Sequence, residues 1–305
     1  MSSTAAAIAA GFRLDSERRR GQAATALAAV AWSTAGILQR ELSLDVATQI
    51  AGRAAFAAVA LFGFTALVYR GRVLAPFRTM GWAGLAVAVC MAVASGGFIV
   101  ALNHTTVAHV LFTQAASPMI AALLARVTYG ERTSRATTIA MVVSLAGVAV
   151  MIGDPRGGGW LGDGASLVMA FAFAVAIVIT RHRRDISMAP AVCLAQVINV
   201  IVFLPFASPG QIGPQDAVLL AAIGFGQMGL GMALFTVGAR LIPAAEAALI
   251  TLLEVVLAPI WVWIGVGETP GTATLVGGLI VVLAVAGQAV VDARGQAAEP
   301  APASG

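Results

Sequence analysis

The amino-acid sequence predicts an all-α, polytopic membrane protein with ten transmembrane helices, arranged as two inverted five-helix repeats. Three observations lead to this prediction. Of the 305 residues, 59% are hydrophobic and only 10% are charged, whereas a soluble domain carries about 25% charged residues. The chain contains ten apolar runs of membrane-spanning length, and a long segment of the first half returns with the same spacing in the second half.

We number the ten apolar runs as spans 1 to 10, because a bilayer core of about 30 Å needs about 20 apolar residues in a helix. The spans cover residues 22–39, 46–69, 80–102, 107–125, 136–153, 164–180, 186–207, 216–239, 243–266 and 272–291. We expect a cytoplasmic tail at 1–20, a first five-helix repeat at 21–153, a second at 160–291, and a flexible cytoplasmic tail at 292–305.

The arginines predict the orientation, because arginine in short loops stays on the cytoplasmic side. All 18 basic residues are arginines, and most lie in the first tail or after the even-numbered spans. Only Arg40 and Arg156 fall in loops on the other side, and Arg53 lies within span 2. We therefore expect both termini in the cytoplasm of a bacterial-type inner membrane. This placement explains the excess of base without any binding to nucleic acid.

The internal repeat appears when the chain is shifted by 137 residues. Residues 109–134 then align with residues 246–271, and each segment is a long apolar helix with a central proline and a Gly-Glu end. Each half holds five helices, an odd number, so the halves have opposite orientations in the membrane. Inverted repeats are typical of secondary transporters, whose binding site lies near the midplane where the halves meet.

These features resemble the drug/metabolite transporter superfamily, and within it the ten-helix exporters of the EamA type. The resemblance rests on "AWSTAG" (31–36), Arg53, "SPMIAALLARVTYGE" (117–131) and "LLEVVLAPIWVWIGVGE" (252–268). The family often places proline directly after the acid of span 9, whereas here Val255 follows Glu254. The resemblance implies an exporter of small metabolites. It is nearest to amino-acid exporters, including the aromatic amino-acid type.

Polar side chains in the middle of the spans are candidates for the substrate site, because hydrocarbon does not satisfy them. The predicted substrate-binding residues are Trp32, Ser33, Gln114, Ser117, Gln227 and Glu254. Two interpretations of Glu254 stay open: a structural hydrogen bond to a neighbouring helix, or direct binding of a substrate or a proton. The two glutamines are either interhelical contacts or part of the site. Trp32 lies too deep for an interfacial anchor, whereas Trp261 and Trp263 have the depth of anchors.

A second set of polar residues lies near the ends of the spans and predicts gate positions. Its members are Asn103, His104, His109 and Glu246. The 137-residue shift places His109 on Glu246, at opposite mouths of the protein. Solvation at the membrane surface is the alternative interpretation. Arg53 lies about two turns below the outer surface, where we expect it to snorkel outward or to pair with an acid, and direct contact with the substrate is the alternative.

These features bear on three possible functions. The leading hypothesis is a secondary transporter that exports small metabolites, with amino acids first and lipophilic cations bound by Glu254 as the alternative. A membrane-embedded enzyme is less favoured, because the three histidines lie at opposite faces and no catalytic motif occurs. Cys90 and Cys193 each lie in an apolar run and give no metal signal. We expect no cofactor and no metal, and the expected partners are a small-molecule substrate and the lipid bilayer.

Overall fold

A computed structural model describes residues 2–70, 74–130, 135–152, 159–183 and 188–298. All regular structure in these residues is helical. Among them, seven helices are long and apolar enough to cross a membrane, and two shorter apolar helices, Arg135–Met151 and Pro190–Phe206, coincide with spans 5 and 7. The prediction of an all-α polytopic membrane protein is confirmed.

The helices coincide with the predicted spans. Spans 1 to 5 comprise Ser2–Ser33 with Ala35–Arg40, Val46–Val68, Gly81–His104, Val107–Ala115 with Ser117–Tyr129, and Arg135–Met151. Spans 6 to 10 comprise Gly159–His182, Met188–Phe203, Pro214–Ala221 with Ala222–Leu230 and Gly231–Gly238, Ala244–Val266, and Thr272–Ala298. A short helix, Leu74–Thr79, precedes span 3, and 3₁₀ turns at Leu204–Phe206 and Pro209–Gln211 follow span 7. Helical structure thus extends into both predicted tails, and residues 299–305 lie outside the described part.

Three spans are irregular near the middle of the membrane. Span 1 is interrupted at Thr34, span 4 is interrupted at Ala116, and span 8 is π-helical over Ala222–Leu230. The break in span 4 comes just before Pro118, which has no N–H to continue the hydrogen-bond ladder. Span 9, its repeat-related counterpart, is continuous through Pro259. Non-helical backbone at membrane depth is tolerated where protein or a cavity surrounds it, so these points indicate the interior of the bundle.

Eight spans pack into a closed ring, in which each helix lies between two helices of the other half. Span 1 packs on spans 8 and 9, span 2 on spans 7 and 8, span 3 on spans 6 and 7, and span 4 on spans 6 and 9. The order around the ring is therefore 1, 8, 2, 7, 3, 6, 4, 9. Spans 5 and 10 pack on each other and against spans 4 and 9 from outside the ring. The interior of the ring is thus lined alternately by the two halves.

The two Gly-Glu pairs of the repeat end their helices in the same way. Gly130 and Gly267 follow spans 4 and 9 with φ of 65° and 71°, in the left-handed region that glycine adopts at a helix C-terminus. The N–H of each glycine bonds back into its helix, to the carbonyl oxygens of Arg126 and Trp263 at 3.1 Å. The repeat that the sequence indicates is therefore also a repeat of local backbone geometry.

The glycines of span 8 allow it to pack closely on spans 1 and 2. A Cβ at Gly224 would lie 2.4 Å from Cβ of Phe56, and one at Gly231 would lie 2.3 Å from the indole nitrogen of Trp32. Gly226, two residues from Gly224 and on the other side of the helix, has no neighbour within 4 Å of an added Cβ. Close approach through small residues is a common way for membrane helices to associate.

Replacing Gly224 by alanine should therefore lower the stability of the protein, because the new methyl group overlaps span 2. We expect a loss of about 1–3 kcal/mol, the usual cost of overpacking, seen as a lower midpoint of thermal unfolding in detergent. Gly226→Ala is the matched control in the same helix and should leave the midpoint unchanged or raise it. Equal midpoints for the two variants would contradict the packing described for span 8.

Candidate functional site

The interruption of span 1 positions Trp32 and Ser33. The hydroxyls of Ser33 and Thr34 donate to the carbonyl oxygens of Val30 and Ala31, each at 2.7 Å, and such bonds bend a helix. Ser33 is fully buried and its oxygen also accepts the indole N–H of Trp261 at 2.9 Å. Span 1 is thereby tied to span 9. The prediction of an interfacial anchor is wrong for Trp261, whose N–H bonds inside the protein.

Trp32 and Gln227 lie together between spans 1 and 8. The Trp32 ring lies 5.3 Å from the Phe235 ring, measured between centroids, and occupies the space that Gly231 leaves open. The Gln227 amide donates to the backbone carbonyl of Trp32 at 3.4 Å, while its side-chain oxygen has no partner in the described residues. Gln227 lies in the π-helical stretch, and π-helical turns are frequent at functional sites.

Gln114 and Ser117 lie on either side of the break in span 4. Ser117 is fully buried and its hydroxyl has no hydrogen-bond partner in the described residues. Gln114 is half-buried, directly before the interruption at Ala116. No direct hydrogen bond joins either residue to Trp32 or Gln227 within the described part of the chain. The unsatisfied Ser117 hydroxyl remains available to a water molecule or a ligand.

Glu254 lies on the strip of span 9 that faces span 1. Residues 254, 258, 261 and 265 follow helical spacing along one face. On this face Ala258 is buried, Trp261 bonds Ser33, and a Cβ at Gly265 would touch Ile37 of span 1. Glu254 itself is half-buried and lies two turns from Trp261, about 10 Å along the helix axis. It makes no hydrogen bond or ion pair with the described residues, so a structural bond to a neighbouring helix is not seen for this carboxylate.

The predicted gate residue His109 forms a buried contact between the two halves. Its Nε2 lies 3.0 Å from Oδ1 of Asp163, and the two side chains are 1% and 9% exposed. His109 is in the first turn of span 4 and Asp163 is near the start of span 6, so the contact joins spans of opposite halves. Asp163 did not emerge from the sequence analysis. Its only sequence signal is an acid in the first turns of an otherwise apolar helix.

A network at the same end of the bundle, which we call the Arg40 end, connects spans 1, 3, 4 and 9. Arg40 pairs with Glu268 at 2.7 Å and donates to the carbonyl oxygens of Leu102 and Thr105. The second oxygen of Glu268 accepts the backbone N–H of Val107 at 2.7 Å. A carboxylate at the N-terminus of span 4 is also favoured by the helix dipole. Four spans from both halves are thus fixed together at this end.

The other two predicted gate residues at the Arg40 end bond within the first half. Asn103 is exposed and donates to the side-chain oxygen of Gln49 at 2.7 Å, and this oxygen also accepts from Gln39 at 2.6 Å. His104 bonds the carbonyl oxygen of Val100 in its own helix at 2.7 Å. Asn103 therefore connects spans 1, 2 and 3, whereas His104 makes no bond between spans.

At the opposite end, which we call the Glu246 end, the contacts that the described residues make are more exposed. Glu246 begins span 9 and pairs with Arg18 at 3.2 Å and with the side-chain amide of Gln22, both near the start of span 1. The Arg18 side chain is 61% exposed, and exposed ion pairs contribute little to stability. His109 and Glu246 are repeat-related residues at opposite ends, and each contacts the first turns of a span from the other half.

Two interleaved halves that close a ring of membrane helices around buried polar groups are the architecture expected of a secondary transporter. The sequence profile of the EamA-like transporter family matches residues 19–153 and, a second time, residues 160–288. The chain belongs to the EamA-like transporter family. This is a family of secondary transporters of small molecules and not of enzymes, which excludes the enzyme hypothesis.

A solved crystal structure has the same fold. It superposes with a TM-score of 0.63 at 17% sequence identity, over 90% of this chain and 98% of the other. At this identity the likeness shows the fold alone. No curated protein matches the chain.

The two repeat-related contacts should differ in their effect on stability. Asp163→Ala removes the buried contact between His109 and Asp163, and loss of one partner of a buried hydrogen bond costs about 1–3 kcal/mol. Glu246→Ala removes a contact to the exposed Arg18, worth about 0–1 kcal/mol. Thermal unfolding in detergent should therefore show a large decrease for Asp163→Ala and little change for Glu246→Ala. Similar decreases for both variants would contradict the burial described for the His109–Asp163 contact.

Proposed function

We propose that this protein exports small metabolites, and amino acids in particular, by alternating access through the eight-helix ring. The observation that carries the proposal is Glu254, a carboxylate within a membrane-spanning helix that has no partner among the described residues. An ionisable group at this depth is costly and marks a substrate or proton pathway by default. The ammonium group of an amino acid is a natural partner for it. The resemblance of the sequence to amino-acid exporters supports the same substrate class.

In this proposal six side chains line the binding pocket: Trp32, Ser33, Gln114, Ser117, Gln227 and Glu254. Trp32 supplies an aromatic wall for an apolar side chain. Gln227 and Ser117 offer polar atoms that the described residues leave unsatisfied. Ser33 acts by holding Trp261, since its hydroxyl accepts that indole N–H. The interrupted backbone of spans 1 and 4 adds carbonyl groups at the same level.

The contacts at the two ends of the ring act as gates in this proposal. Opening the Arg40 end requires the His109–Asp163 and Arg40–Glu268 contacts to separate, because both join different halves. Opening the Glu246 end requires separation of Glu246 from the start of span 1. Asn103 and His104 border the Arg40 end. Since His109 and Glu246 are related by the repeat and lie at opposite ends, closing one end while the other opens would reverse the direction in which the pocket opens.

The arrangement in the membrane follows from the arginines. We propose that both termini and the Glu246 end lie in the cytoplasm, and that the Arg40 end faces the outside of a bacterial-type inner membrane. Arg40 is held by Glu268 and two carbonyl groups, so it is not a free loop charge. Its presence on the outer side is therefore consistent with the charge bias of the other loops.

The orientation is tested by labelling single cysteines in a variant without Cys90 and Cys193. Cysteines at Ser208 and Thr269 should react from outside with a reagent that does not cross the membrane. Cysteines at Arg78 and Arg183 should react only after the cells are permeabilised. The reverse pattern would show that the termini lie outside.

Export of lipophilic cations is the second candidate function, and the aromatic rings beside the pocket favour it. Trp32 and Trp261 lie near the level of the interruption in span 1, and cations bind well to indole faces. Glu254 would then balance the charge of the cation. Transport assays in liposomes that contain the purified protein separate the candidates, with labelled amino acids in one series and quaternary ammonium dyes in the other.

Glu254→Gln should abolish or strongly change transport in that assay, because glutamine keeps size and hydrogen-bonding capacity but does not ionise. Glu254→Leu should also lose transport but still fold, since leucine is favourable in the membrane. Glu41→Gln, a change in an exposed glutamate at the end of span 1, is the control and should transport as the wild type does. Wild-type kinetics in Glu254→Gln would exclude the carboxylate from the transport cycle.

A further inference from the structure

Arg53 lies on the side of span 2 that faces the interior of the ring. The opposite side, with Ala55, Val59 and Phe62, is exposed as a lipid-facing surface would be. Arg53 is only 3% exposed, and its guanidinium donates to the carbonyl oxygen of Ser95 at 3.1 Å and to the hydroxyl of the same residue. The expectation that Arg53 snorkels outward or pairs with an acid is therefore wrong.

The buried guanidinium has no counter-charge in the described residues. Within the described part of the chain, no ion pair within 4 Å includes Arg53, and its Nε has no hydrogen-bond partner. A charge removed from water is costly unless it is paired and its hydrogen bonds are made. The serine of span 3 satisfies only one of the three guanidinium nitrogens. Arg53 is thus held in place by Ser95, and its remaining N–H groups can still donate hydrogen bonds to a ligand.

Two buried side-chain amides of span 7 lie close to Ser95. The Gln196 amide nitrogen lies 3.5 Å from the Ser95 hydroxyl, and Asn199 follows one helical turn later, near Gly96 of span 3. Both are almost fully buried, and each has one side-chain atom without a partner, the oxygen of Gln196 and the nitrogen of Asn199. Together with Arg53 and Ser95 these residues form what we call the Arg53 cluster.

The chemistry of the Arg53 cluster fits a carboxylate. It carries one positive charge and no negative one, and a guanidinium fork binds a carboxylate through two parallel hydrogen bonds. The Asn199 amide nitrogen has no partner in the described residues and can donate to a carboxylate, whereas the Gln196 amide nitrogen already lies against the Ser95 hydroxyl. The order of the ring places span 7 across from span 9, which carries Glu254. Arg53 and Glu254 are charged groups deep within the described spans, and neither has an ionic partner there.

We infer that the Arg53 cluster binds the carboxylate of the transported molecule, so that the substrates carry a carboxylate, as amino acids do. The inference rests on the proposed transport function and narrows its substrate class. A lipophilic cation has no carboxylate and would leave the buried guanidinium of Arg53 uncompensated. An amino acid supplies the missing negative charge through its carboxylate.

The experiment compares three probes that share one aromatic side chain. L-Phenylalanine has both charges, 3-phenylpropionate has only the carboxylate, and 2-phenylethylamine has only the ammonium group. Calorimetric titration of the purified protein measures binding of each probe to the wild type, Arg53→Gln and Arg53→Lys. Arg78→Gln, which removes an exposed loop arginine, is the matched control. Gel filtration and thermal unfolding confirm that each variant is folded.

We expect the wild type to bind phenylalanine most tightly. Arg53→Gln should weaken the binding of phenylalanine and of phenylpropionate by about tenfold or more, the loss typical of a charged hydrogen bond. The affinity for phenylethylamine should stay the same or increase. Arg53→Lys should be intermediate, because it keeps the charge and loses the fork. Arg78→Gln should match the wild type.

Three results would overturn the inference: binding of the amine alone, binding of none of the probes, or equal binding of phenylpropionate by the wild type and Arg53→Gln. If chloride competes away all binding of phenylpropionate, the cluster is a site for inorganic anions, and the inference is also overturned. Transport is measured separately in liposomes. Arg53-dependent binding of phenylpropionate without transport of phenylalanine would support the carboxylate site and reject amino-acid export, so the two failures are distinguishable.

Discussion

Hydrocarbon offers no hydrogen-bond partner, and this constraint decides where each polar group of the protein lies. The Ser33 hydroxyl bonds the carbonyl of its own helix and receives the indole of Trp261, and His109 meets Asp163 across the boundary between the halves. Glu254 has no partner in the described residues, and the Ser117 hydroxyl, the Gln227 side-chain oxygen and the Arg53 Nε also lack one there. Unsatisfied groups of this kind are where a ligand is needed.

The interleaved order of the ring connects this constraint to transport. Because every ring helix lies between two helices of the other half, a relative movement of the halves changes all eight contacts and both ends together. The close contacts through Gly224 and Gly231 restrict how span 8 moves against spans 1 and 2. The interruptions in spans 1 and 4 and the π-helical stretch of span 8 are the places where the backbone is least regular. Span 8 therefore combines closely packed glycine contacts with an irregular, π-helical stretch of backbone.

The sequence is sufficient to predict the spans, the repeat and the depth of each polar residue, because depth follows from position along an apolar run. It does not reveal which way a side chain points or what it meets. Arg53 has the depth of a snorkelling arginine yet turns inward to Ser95, and Trp261 has the depth of an interfacial anchor yet bonds Ser33. Asp163, Gln196 and Asn199 were missed for the same reason. Their environment is created by helices distant in the chain.

The alternating ring has a consequence for biogenesis. Spans 1 to 4 enter the membrane first, before any of their ring neighbours in the second half has been synthesised. Until then Arg53, His109 and Ser117 lack the surroundings that bury them in the finished protein, and they face lipid or one another. Insertion of spans 6 to 9 between helices already in place completes the structure. A truncated chain that ends after span 5 should therefore be a substrate for membrane quality-control proteases rather than a stable half-transporter.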